Sequence, residues 1–127
     1  MSDKPSPERP GRKSGLAHFL AAASYSTAGL RRLARESAFR QEAALGALAL
    51  AVLALWGSSV PALLGMAGLL LLLIATEALN TALEVVVDHL SPGWSAFAKD
   101  AKDLGSLAVA CVVGVNGLYF LGVLVFG

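Results

Sequence analysis

Three apolar stretches constrain this chain more than any other feature in it. "AALGALALAVLALWG" covers 43–57, "VPALLGMAGLLLLLIAT" covers 60–76, and "LGSLAVACVVGVNGLYFLGVLVFG" covers 104–127. A bilayer core asks for about 20 consecutive apolar helical residues. The third stretch reaches that length alone, the first borrows from its flanks, and the second continues helically past Thr76. The chain is 56% hydrophobic and 15% charged over 127 residues, which leaves too little polar cover for a soluble fold of this size. An all-α membrane protein with three transmembrane helices is expected, in spans of about 40–58, 61–88 and 103–126. A cleavable signal peptide is not, because the first apolar run begins late and two more follow it.

Charge placement gives the orientation. Eight of the ten basic residues precede residue 41 and the other two are Lys99 and Lys102, while the link "GSSVP" carries none. The positive-inside rule then puts the N-terminus and the 88–103 loop in the cytoplasm. The short link and the C-terminus then face outward from an inner or plasma membrane. A net charge of +1 argues against nucleic acid as a partner. Cys111 is the one cysteine, so no disulfide or cysteine metal framework is available.

Residues 1–15, rich in Pro, Ser and charge, read as a disordered tail. Over 16–37, Leu16, Phe19, Leu20, Ala23, Leu30, Leu33 and Ala34 recur near helical spacing, with Arg31, Arg32, Arg35 and Glu36 among them. That pattern suits an amphipathic helix lying in the cytoplasmic interface.

The second span leads straight into "EALNTALEVVVD". At about 100° per residue, Glu84 and Asp88 fall within about 20° of Glu77, with Asn80 about 60° to the side. They form one polar stripe on an otherwise apolar helix. For a helix entering the bilayer near Pro61, Glu77 lies about 24 Å along it, Glu84 about 35 Å and Asp88 about 40 Å. Against a hydrocarbon core of about 30 Å, Glu77 is just inside the lipid boundary and the other two are in the headgroup and water layer. Ionisable groups at such depths are expensive and mark function.

Two further polar groups reach the same level. "ARESAFRQEA" places Glu36, Arg40, Gln41 and Glu42 at the mouth of the first span. "AFAKDAKDLGS" places Lys99, Asp100, Lys102, Asp103 and Ser106 at the mouth of the third. Carboxylates from two helices suit Mg2+, which takes oxygen ligands and leans on bound phosphates for the rest of its shell. A lysine neutralises phosphate charge, and a carboxylate just inside the lipid accepts the proton of a lipid hydroxyl. Those are the parts of phosphoryl transfer from ATP in water to an alcohol in the membrane. A non-catalytic, cation-binding membrane protein is the competing reading. It would use the acids but not the gathering of Glu36, Lys102 and Asp103.

In order and on successive spans, "ESAFRQE", "EALNTALEVVVD" and "AKDLGS" closely resemble the small bacterial integral-membrane diacylglycerol kinases. The resemblance runs from about Tyr25 to Ser106 and extends in pattern to the C-terminus. It implies a homotrimeric helix bundle in the bacterial inner membrane, its C-terminus periplasmic, with active sites between chains that use MgATP to phosphorylate diacylglycerol. It makes Glu77 the general base and assigns the metal to Glu36 and Glu84. It implies ATP contacts from Lys102, Asp103 and Tyr25, from His18 where relatives carry an arginine, and from Trp94 in the loop near adenosine. Arg40, Gln41, Glu42, Asn80 and Ser106 match positions lining the lipid side or supporting the site. The "LGS" that follows fixes the match within "AKDAKD" on Lys102 and Asp103, leaving Lys99 and Asp100 as surface residues. Ala21 and Ala28 stand where relatives carry lysines. An undecaprenol kinase of the same family is the nearest alternative.

Overall fold

The computed structural model describes Gly11 and residues 14–127, so most of the expected 1–15 tail lies outside the described residues. Four helices follow in order: α1 (Gly15–Leu33), α2 (Ser37–Trp56), α3 (Val60–Leu90) and α4 (Ala96–Phe126). No strand occurs among the described residues. The last three helices are each long and apolar enough to cross a membrane.

The helix boundaries follow from local chemistry. Gly57 ends α2 at φ 85, a left-handed conformation that only glycine adopts without a Cβ penalty. Its N–H bonds Ala54 O at 3.2 Å and the next N–H, of Ser58, bonds Leu53 O at 3.1 Å. Ser59 then starts α3, its Oγ accepting from the N–H of Ala62 at 3.4 Å, with Pro61 in the first turn where its missing donor costs nothing. The apolar link is therefore a tight helical hairpin. Ser95 opens α4 in the same way, accepting from the N–H of Ala98 at 3.1 Å. Such a cap is worth about 1 kcal/mol. It explains why α4 begins at Ala96, ahead of the span expected from 103: the alanines and lysines of "AFAKDAKD" continue the helix beyond the apolar run.

Arg40 fixes the corner between α1 and α2. Its guanidinium donates from Nη1 to Ala34 O at 3.2 Å and Arg35 O at 2.8 Å, satisfying carbonyls that the end of α1 leaves open. Helices α3 and α4 form the most extensive pairing. Two hydrogen bonds within the apolar zone clamp it: Asn116 Nδ2 donates to Leu69 O at 3.2 Å and Tyr119 Oη to Ala62 O at 2.9 Å. Gly65 lets the tyrosine ring lie against the α3 backbone, where any Cβ would collide with it.

The interior is thin. Leu33, Phe39, Leu53, Met66, Leu73, Val87, Ala98 and Val109 are the buried apolar residues, whereas Leu45, Leu48, Leu55, Leu64, Leu71 and Leu118 face outward. In water so much exposed apolar surface would be a liability. Around helices of membrane length it is the kind of surface that suits lipid.

Candidate active site

Glu77 is the most confined ionisable group at the polar end of the bundle, 6% exposed midway along α3. It lines a cleft of about 260 Å³ together with Glu36, Ala38, Glu42, Asn80, Thr81, Glu84, Ser106 and Val109. Three helices build this cleft. Glu36 is the residue that caps α2 and Glu42 sits one turn into that helix, α3 supplies the stripe, and Ser106 comes from α4. Glu42 and Glu77 line the cleft together, and the Oε2 of Glu42 is buried with no partner among the described residues.

Asn80 orders the outer half of the cleft. Its Nδ2 donates to Glu84 Oε1 at 3.2 Å, while its Oδ1 is buried and unpaired. That amide rests on Gly105, where a Cβ would meet both Asn80 and Leu83. The glycine of "LGS" is thus a close-approach position for the stripe.

A second hollow of about 380 Å³ lies at the α3–α4 turn, lined by Asp88, Ser91, Pro92, Gly93, Trp94, Ser95, Ala98, Lys99, Lys102 and Asp103. Lys102 pairs with Asp88 at 2.5 Å, and Lys99 pairs with Asp103 one turn along its own helix. Ser91 and Ser95 share a 2.7 Å hydroxyl contact in the same hollow, and Trp94 is open to the outside. Lys99, read from sequence as a plain surface residue, is exposed yet belongs to this hollow and holds Asp103.

The expected site residues therefore divide. Glu36, Glu42, Glu77, Asn80, Glu84 and Ser106 share the carboxylate cleft, and Trp94, Lys102 and Asp103 share the second hollow with Asp88. Tyr25 lines a separate shallow depression on α1 with Ala17, Leu20, Ala21 and Ser24, and His18 is exposed on the same helix. Gln41 is exposed on α2 and Arg40 is engaged at the α1–α2 corner. Thr81, buried in the cleft, was missed because threonine on an apolar helix gives no signal of its own. The Arg32–Glu36 and Lys99–Asp103 pairs were legible, since both are i,i+4 on helix-forming sequence.

Among the described residues no three His, Cys, Asp or Glu side chains converge to cage a metal. Magnesium seldom needs such a cage, because one or two carboxylates plus substrate phosphates suffice. Glu36 and Glu84 on one cleft, beside the unpaired oxygens of Glu42 and Asn80, fit that donor set.

Three helices long and apolar enough to cross a membrane, with a carboxylate cleft between them, define the class of a helical integral-membrane protein. A family model for prokaryotic diacylglycerol kinase matches residues 24–126. A Sinorhizobium diacylglycerol kinase is 44% identical over 115 residues, spanning 91% of this chain and 84% of that protein. The Haemophilus influenzae diacylglycerol kinase is 31% identical over 91% of this chain and 98% of its own length. The Escherichia coli K12 enzyme of the same name is 36% identical over 78% and 82%. The chain belongs to the prokaryotic diacylglycerol kinase family.

Proposed function

We propose that this protein transfers the γ-phosphoryl group of ATP to the free hydroxyl of diacylglycerol, yielding phosphatidate and ADP at the cytoplasmic face of the membrane. The observation that carries this is the position of Glu77, 6% exposed in a cleft it shares with two candidate metal ligands, Glu36 and Glu84. The relatives named above are all diacylglycerol kinases, which favours diacylglycerol over a polyprenol as the acceptor.

In this reading the acceptor enters from the membrane side with its hydroxyl at Glu77. As the hydroxyl oxygen bonds the γ-phosphorus, its proton passes to the Glu77 carboxylate and the bond to the β–γ bridging oxygen breaks. ADP leaves with that electron pair. Glu36 and Glu84 would hold magnesium, which when bound neutralises charge on the phosphates. Asn80 keeps the Glu84 carboxylate turned into the cleft through its 3.2 Å hydrogen bond. The hollow around Trp94, Lys102 and Asp103 receives the distal part of the nucleotide, with Lys102 leaving Asp88 for phosphate.

The assembly proposed is a homotrimer with α1 along the cytoplasmic interface. Support comes from Leu16, Phe19 and Leu20, which are exposed on α1, and from Gly68, Gly114 and Gly117, where an added Cβ meets nothing within the chain. Small open positions let membrane helices approach closely. Fully active monomers in detergent would contradict the trimer. The activity is tested by acceptor-dependent ADP release from purified protein with MgATP and short-chain diacylglycerol. Release without acceptor, or none at all, would contradict it.

A further inference from the structure

Four carboxylates, Glu36, Glu42, Glu77 and Glu84, line the cleft in which the proposed transfer occurs, and among the described residues no lysine or arginine lines it with them. A triphosphate approaching such a site meets like charge at short range, where each pair interacts at several kcal/mol for an effective dielectric near 20. Magnesium offsets part of this, and the protein's own cations must be found for the rest. Lys102 is one, reaching over from Asp88 in the other hollow, where Lys99 stays on Asp103. Arg40 is spent on the carbonyls of Ala34 and Arg35.

Arg32 is placed differently. It stands in the last turn of α1, and its Nη1 meets Glu36 Oε1 at 2.5 Å, directly on the rim of the cleft. Both side chains are close to half exposed, at 47% and 40%. An ion pair so open to solvent is worth at most about 1 kcal/mol, so Arg32 is released at little cost once Glu36 takes another partner. A guanidinium also matches the oxygens of a phosphoryl group in a two-point fork, which a lysine does not.

We propose that Arg32 is a phosphate-binding residue of this site. It guards Glu36 while the cleft is empty of nucleotide and swings onto the γ-phosphoryl group when Glu36 turns to the metal. This rests on the kinase reading for the identity of the nucleotide, and it predicts a preference: the residue acts on the phosphoryl group that is transferred, so it serves the triphosphate and not the diphosphate.

The test is equilibrium binding of a non-hydrolysable ATP analogue and of ADP, each with magnesium, to the intact protein in lipid nanodiscs. Arg32→Ala should weaken the triphosphate analogue about tenfold or more, the usual scale for a lost charge-assisted contact, and leave ADP nearly unchanged. Arg32→Lys should recover part of the loss. Wild-type-like thermal unfolding of both variants excludes a folding defect as the cause, as the exposure of Arg32 leads one to expect. Unchanged analogue binding in Arg32→Ala, with a lower magnesium requirement because Glu36 is freed, would reduce Arg32 to a counter-ion and overturn the proposal. Equal losses for analogue and ADP would also overturn it. A wild-type protein that binds the analogue but phosphorylates no diacylglycerol would refute the kinase reading alone, and the Arg32 comparison would still decide its own question.

Discussion

Replacing Glu77 with glutamine separates chemistry from folding by exchanging one oxygen for an NH2 group. In the folded chain Glu77 is 6% exposed and lines one cleft with the Glu42 carboxylate. The amide of Glu77→Gln fills the same volume and brings a donor that faces Glu42, whose Oε2 otherwise has no partner. One new hydrogen bond to a charged group contributes about 1.5–3 kcal/mol at most, so the variant should unfold in detergent at or above the wild-type temperature. Turnover should fall instead. A positioned general base contributes at least about 100-fold, equivalent to about 2.7 kcal/mol of barrier at about 1.36 kcal/mol per decade. Coupled measurement of ADP release with saturating MgATP and short-chain diacylglycerol reads turnover, and calorimetry of the same sample reads stability. Near-normal turnover in the variant would refute Glu77 as the base. A marked drop in unfolding temperature would refute the packing argument.

Glu36→Gln and Glu84→Gln should each raise the magnesium requirement together with the KM for ATP, because each supplies part of one donor set on the cleft; a change confined to the lipid KM would contradict that role. Gly105→Ala should displace Asn80 from its seat on α4 and break its bond to Glu84, lowering activity while the helical circular dichroism is retained, so an unaffected kinase would show that Asn80 does not order the cleft. Tyr119→Phe should cost about 1 kcal/mol of stability, the net value of one hydrogen bond, by removing the 2.9 Å contact to Ala62 O. Kinetic constants should be unchanged in that variant, because Tyr119 touches neither hollow.

Much of this arrangement was legible because a membrane makes strong demands on sequence. Apolar length set the existence of α2, α3 and α4, and the i, i+7 spacing of Glu77 and Glu84 put them on one cleft. Charge-free "GSSVP" marked the hairpin that Gly57 and Ser59 now terminate and cap. What escaped the sequence depends on contacts between helices. The bond from Asn116 to Leu69 O spans 47 residues and that from Tyr119 to Ala62 O spans 57, and neither residue differs in type from a lipid-facing polar side chain. The pairing of Lys102 with Asp88 also escaped, since side-chain geometry across the turn, not spacing along one helix, joins them. Tyr25 and His18 lie on an exposed helix apart from both hollows.

Incubating the purified protein with γ-labelled ATP, magnesium and a mixed bacterial membrane lipid extract tests the central claim most directly, with the labelled lipid resolved by thin-layer chromatography. The account predicts one dominant magnesium-dependent product that co-migrates with phosphatidate and is absent for Glu77→Gln. Label in a polyprenyl phosphate, or no labelled lipid from protein that is folded and binds nucleotide, would contradict it.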